Sequence, residues 1–200
     1  MFEKVNEILD FWLGNGSTDI ETRASRWWGG DPKVDQVIRD QFLPVHQAGQ
    51  SKKLEAWRES PKSCLAYIIL FDQFSRNMFR GTNEAFEFDV LSLSAAEFGI
   101  ENKFDKELAF FERLFFYMPL QHSEKLAHQK HSVVLYKLLL DEAKESEFAF
   151  VNMIKETYTY AIKHFEVIER FGRFPHRNAI LRRKSTKAEK LYLEEFPSGF

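Results

Sequence analysis

Apolar residues recur along this chain at steps of three and four, from one end to the other. Val5, Ile8, Leu9 and Trp12 share one face of a helix from Phe2 to Leu13, which Gly14 ends. Thr18 and Glu21 have the spacing of a capping box before a short helix ending at Trp27-Trp28. Asp31-Pro32 places a cap residue before a first-turn proline and opens a helix through Val34, Ile38 and Phe42, which Pro44 should end or kink. Ser51 begins a short helix through Leu54 and Trp57.

Ser60-Pro61 repeats the cap-plus-proline signature and opens a central helix running to about Arg80, with Gly81 as its stop. A helix follows from about Asn83 to Glu101, and Asp105 opens another that ends near Pro119. Ser123 caps a helix reaching Lys144, and the longest runs from Phe148 to Arg170, closed by Gly172. Thr186 and Glu189 form a second capping box before a final helix. The run Cys64 to Phe71 is apolar enough for a buried strand, but it continues into a helical pattern without a turn residue. The expectation is a single all-α domain over residues 1–200, a stack of antiparallel helical hairpins joined by short loops.

Composition sharpens this picture. The chain has 200 residues, 44% hydrophobic and 29% charged, which suits a globular protein. Its 21 phenylalanines imply a thick aromatic core. A formal charge of −2 gives no general attraction to nucleic acid or membranes. The single cysteine, Cys64, cannot form an intrachain disulfide, and the N-terminal pattern does not read as a signal peptide. No apolar run approaches a membrane span, so a cytoplasmic protein is expected.

Polar residues interrupt the apolar pattern in four places. On the central helix Leu65, Ile69, Asp72, Arg76 and Arg80 form one stripe that turns ionic halfway along, with Gln73 and Asn77 beside it. Such a stripe is a charged pocket floor, a buried ion-pair network or a solvated helix end with an Asp72–Arg76 pair. On the longest helix His164 sits within the apolar face of Met153, Ile154, Ala161, Ile168 and Phe171, as a packed core residue or as a catalyst. From Glu169 to Lys184 six cationic residues face Glu169 alone, a net charge of +5, with His176 and Asn178 as further donors. Planar guanidinium groups there suit carboxylate or phosphate, or form an exposed basic loop without a role. Finally, Glu124, His128 and His131 share a helix face at ligand-like steps, but Leu135 and Leu138 continue that stripe and no fourth ligand is evident. No metal and no cofactor are therefore expected. Serine-elbow and phosphate-loop motifs are absent, so any catalysis would be acid–base or electrostatic.

These islands carry a resemblance. Asp10-Phe11-Trp12, Arg26-Trp27-Trp28, the string Asp72 to Gly81, His122-Ser123-Glu124 and the string Arg170-Phe171-Gly172-Arg173-Phe174-Pro175-His176-Arg177-Asn178-Ala179-Ile180-Leu181 are similar to domain-of-unknown-function family 924, from Phe2 to Phe200. The resemblance implies a tetratricopeptide-like all-α fold and no established activity. Position by position it supports Asp72, Arg76, Asn77, Arg80, His122, Glu124, His164, Arg173, His176, Arg177 and Asn178. This chain departs from the family pattern at Ser75, where proline is usual, at Arg182, where glycine is common, and in having histidines at 128 and 131.

The leading expectation is a small anionic ligand bound between helices. Asp72, Arg76, Asn77, Arg80, Arg173, Arg177 and Asn178 would contact it, and His122, Glu124, His164 or His176 would serve as acid or base. The alternatives are a tetratricopeptide-like scaffold for an acidic peptide or terminal carboxylate, and an ionic cluster that only ties helices together.

Overall fold

The computed structural model describes residues 2–15 and 19–199, and every regular element among them is helical. The chain gathers into two compact units, Met1–Pro119 and Leu120–Phe200. The first holds α1 (Phe2–Leu13), α2 (Ile20–Trp28), α3 (Pro32–Gln50), α4 (Pro61–Ile68), α5 (Ser75–Met78), α6 (Glu84–Glu87) and α7 (Asp89–Glu101). The boundary falls inside α8 (Phe110–His122), and the second unit continues with α9 (Leu126–Glu145), α10 (Val151–Phe171) and α11 (Lys187–Glu195). Among the described residues no helix is long and apolar enough to cross a membrane.

In the first unit the segment Ser63 to Ser75 is buried without interruption. A helix buried on every side is the centre of a core, not a surface element with one apolar stripe. α1 and α7 pack against α4, and α3 packs against α5. Aromatic edges fill the space between them: Phe74 lies 4.8 Å from Phe42 and 5.4 Å from Trp12 between ring centroids, and Trp12 lies 5.7 Å from Phe115. Between α4 and α5 the backbone widens into a π-helical turn, Ile69–Phe74. Such turns rotate everything downstream and concentrate where side chains must be re-aimed. Here the turn carries Asp72.

Several boundaries differ from the sequence reading. α3 runs through Pro44 to Gln50, because Phe42, His46 and Gly49 are all buried and outweigh one lost backbone hydrogen bond. A Cβ on Gly49 would stand 2.4 Å from the Phe71 ring, so this packing needs glycine. Ser51 follows α3 as its cap, and the next turn is a short 3₁₀ helix, Glu55–Glu59. The helix expected from Asn83 is split at Phe88 into α6 and α7. Asp105 does not open α8; it lies buried in a 3₁₀ turn, Phe104–Glu107, where it accepts a 2.6 Å hydrogen bond from the Tyr117 hydroxyl. α8 then passes through Pro119 to His122. Thr18 lies outside the described residues, and the N-cap of α2 is Asp19, which accepts from the Thr22 N–H at 2.8 Å.

In the second unit α9 and α10 form a helical hairpin joined at residues 146–150. α9 buries Leu135, Leu139 and Ala143, and α10 buries Ile154, Ala161 and Ile168. α9 begins at Leu126, later than the expected cap at Ser123, whose Oγ accepts from the Lys125 N–H at 3.2 Å. Buried Gln129 donates to the Gln121 and Ser123 carbonyls at 2.6 Å each, satisfying groups that the end of α8 leaves open. Gly172 closes α10 in the left-handed conformation (φ 70°), its N–H bonded to the Ile168 carbonyl at 2.8 Å. The Thr186–Glu189 capping box forms as its spacing indicates.

Candidate functional site

Asp72 is fully buried, and an unpaired carboxylate there would be costly. It accepts from Gln73 Nε2 at 2.5 Å and from Arg76 Nη2 at 3.4 Å. Arg76 also reaches Asp89 at 3.0 Å, donates to the Ala85 carbonyl at 3.2 Å and lies over the Phe86 ring. Burial would lower the Arg76 guanidinium, but Asp89 and Asp72 outweigh it and raise it. Arg80 grips Asp35 with two bonds of 2.6 and 2.9 Å, and Asn77 donates to the same carboxylate at 2.7 Å. Asp35 belongs to α3 and Asp89 opens α7, where negative charge favours a helix N-terminus. The first unit thus gathers Asp72, Arg76, Asn77 and Arg80 around α5, each with a protein partner.

A second polar group in this unit has the form of a nucleophile and base. His46 Nε2 lies 2.9 Å from Ser75 Oγ, and Gln50 Nε2 lies 3.2 Å from the other ring nitrogen. Both His46 and Ser75 are fully buried, and the rings of Phe71, Phe79 and Phe88 surround the imidazole. Burial lowers His46 to about 4 and raises the Cys64 thiol to about 12. His46 is a neutral core group and Cys64 an inert one.

The second unit is organised around Phe174, which is fully buried. Glu124 accepts from the Phe174 N–H at 2.8 Å, and Arg183 donates to the Phe174 carbonyl at 3.0 Å. Arg183 also holds Glu124 with two bonds of 2.6 and 2.9 Å and reaches Asn178 Oδ1 at 3.0 Å. Asn178 in turn donates to Ser185 Oγ at 3.0 Å. Arg173 clamps Glu189 at 2.6 and 2.9 Å, and Glu189 also accepts from the Thr186 N–H at 2.6 Å. The Arg173 hydrogen bonds come first among the causes that bring Glu189 down to about 2. Glu124 is buried enough to be raised, yet Arg183 and the Phe174 N–H hold it below the ordinary range. A carboxylate so held is a poor proton donor. Its place is structural support for the loop after α10.

Around the Phe174 ring two imidazoles and a guanidinium converge, and a third imidazole stands behind one of them. His164 lies 5.5 Å away and His176 5.6 Å away between ring centroids, and the Arg177 guanidinium stands 4.4 Å over the ring face. His122 is 6.1 Å from His164. His164 Nδ1 lies 2.7 Å from the Tyr160 carbonyl and 3.2 Å from Gln121 Nε2. The shorter contact, to an atom that can only accept, assigns the proton to Nδ1 and leaves Nε2 as the basic atom. Burial pushes His164 well below its ordinary value, with His122, Arg177 and His176 adding to the shift and the Tyr160 carbonyl opposing it. Gly199 packs on His176: its φ is +120°, and a Cβ there would stand 2.7 Å from Nδ1.

The expected candidates therefore separate. His164, His176 and Arg177 surround one ring with His122 next to His164, whereas Glu124, Arg173 and Asn178 brace the loop that presents it. Glu124 does not form a face with His128 and His131: His128 Nδ1 lies 2.8 Å from Ser123 Oγ, and His131 is exposed. Among the described residues no three His, Cys, Asp or Glu side chains are placed to hold a metal. Sequence reading missed Asp35, Asp89, Arg183 and the second role of Glu189. Of these only Glu189 left a signal, its capping box, and that signal gave no hint of Arg173.

Comparison with known proteins agrees with this architecture. The family model described as "Bacterial protein of unknown function (DUF924)" matches residues 8–196. The solved structure of a protein of unknown function from Agrobacterium tumefaciens is 32% identical and superposes with a TM-score of 0.76, covering 97% of this chain and 98% of that one. Among curated proteins none matches.

Proposed function

The chain belongs to the DUF924 family of bacterial proteins of unknown function, and from the geometry of its second unit we propose that this unit binds a small anion, a carboxylate or phosphate, at the Phe174 cluster. The observation that carries this reading is the convergence of His164, His176 and Arg177 on one buried ring, with His122 beside His164. Cationic and cation-forming groups so close together oppose one another's charge, and a bound anion relieves that opposition. Arg76 and Arg80 hold aspartates and Arg173 holds Glu189, which favours a structural role for them. His164, neutral and with Nε2 as its basic atom, would act as a base and not as an acid in any reaction at this site. A cytoplasmic setting suits the buried, unreactive thiol of Cys64.

Thermal unfolding with inorganic phosphate and with small dicarboxylates tests the reading. A ligand at a hundred times its Kd adds about 2.7 kcal/mol. The expected result is a rise in Tm for wild type that Arg177→Gln and His164→Ala both abolish. Equal rises in wild type and both variants would exclude the cluster. The same assay with acidic peptides examines the alternative of a tetratricopeptide-like scaffold. The α9–α10 hairpin favours that alternative, with Val134 and Leu138 exposed on α9. There, stabilisation by peptides but not by small anions is the distinguishing result.

A further inference from the structure

A depression of about 410 Å³ lies on the first unit, lined by Glu21, Thr22, Ser25 and Arg26 of α2 and by Val34 of α3. Residues 21, 22, 25 and 26 fall on one side of the helix, so their side chains meet in one place. Arg26 differs from the other motif arginines of this unit. Arg76 and Arg80 hold aspartates, whereas Arg26 makes no ion pair among the described residues. Its guanidinium lies 4.6 Å over the Phe11 ring. Stacking fixes one face of the planar group and leaves its edge, with paired N–H donors, for an oxygen acid. Burial lowers this guanidinium, with no carboxylate to offset the lost hydration. The Thr22 hydroxyl is turned to Asp19 at 2.9 Å, which leaves the Ser25 hydroxyl as the second donor on that side. Glu21, exposed on the same lining, adds an anionic group one helical turn from Ser25.

We propose that this depression binds a small zwitterion of the amino-acid class, its carboxylate on Arg26 and Ser25 and its ammonium on Glu21. A simple anion would meet Glu21 as a like charge, and a simple cation would meet Arg26. A molecule carrying both groups a few bonds apart satisfies each end. The volume is within the range of small-ligand sites, and the open, shallow form implies millimolar affinity. This site lies wholly in the first unit and does not rest on the Phe174 cluster.

The test is an NMR titration of the full chain with L-alanine, and in parallel with acetate and with methylammonium. L-Alanine should give saturable shifts at the Thr22, Ser25 and Arg26 amides and at Arg26 Nε–H. Acetate and methylammonium should bind about tenfold more weakly or worse, a difference of about 1.4 kcal/mol. Arg26→Gln and Glu21→Gln should each lower the affinity for L-alanine by a similar factor. Glu21 is exposed, so its variant tests the site even if Arg26→Gln perturbs the packing on Phe11. Absence of saturable shifts at millimolar L-alanine overturns the proposal. So does acetate binding as well as L-alanine, or an unchanged affinity in Glu21→Gln.

Discussion

Asp72→Ala lowers the stability of the protein by about 3–5 kcal/mol in denaturant unfolding, the loss expected when a buried ion pair is deprived of one partner. Asp72 is fully buried, so its carboxylate has no water to fall back on, and its bonds run to Gln73 and Arg76 within the core. Removing it leaves Arg76 with Asp89 and the Ala85 carbonyl, and leaves the Gln73 amide at the π turn with the weak acceptor Met118 Sδ at 3.3 Å in place of a carboxylate. Arg80→Ala is the control. Arg80 is half exposed, with a side-chain exposure of 50%, and surface pairs contribute about 0–1 kcal/mol. Equal losses in the two variants would contradict the central place given to Asp72.

Glu124→Ala has the second large effect, a loss of about 2–3 kcal/mol, since hydrogen bonds to charged groups contribute about 1.5–3 kcal/mol. One carboxylate there accepts from the Phe174 N–H and from both ends of the Arg183 guanidinium. Its removal frees the backbone that presents Arg177 and His176, so the loss of stability should come with a loss of anion binding. The pH dependence follows from the direction of its shift. Glu124 is held below the ordinary carboxylate range in the folded state, so the unfolded chain binds a proton more readily. Its contribution is complete above the unfolded value and disappears as pH falls through the folded one. In Glu124→Ala the acid limb of the stability curve should therefore be shallower than in wild type.

Helix existence was legible because apolar spacing, caps and stop residues are local. Gly172 and the Thr186–Glu189 box fall where their chemistry requires. The π turn at Ile69–Phe74 was not legible, since every residue in it is an ordinary helix-compatible one and its cause is packing. Pro44 and Pro119 misled for the complementary reason: a single lost backbone bond is small beside the burial of a helix face. At the site, the residue types around Phe174 were legible, but their division of labour was not. Arg183 looked like one charge in a basic run, and only the folded chain sets it against Glu124, 59 residues away in sequence. Asp35 and Asp89 were invisible for the same reason: a surface-type aspartate at a helix start has no local feature that names its partner.

The most direct test of the account is the titration of His164 by NMR, in wild type alone and with inorganic phosphate. Without ligand the imidazole should titrate well below an ordinary histidine, because it is half-buried and sits beside His122, Arg177 and His176. A bound anion opposes those charges, so phosphate should raise the titration midpoint of His164, and proton uptake should accompany binding. A midpoint at the ordinary histidine value, unmoved by phosphate, would contradict the claim that the Phe174 cluster is an anion site.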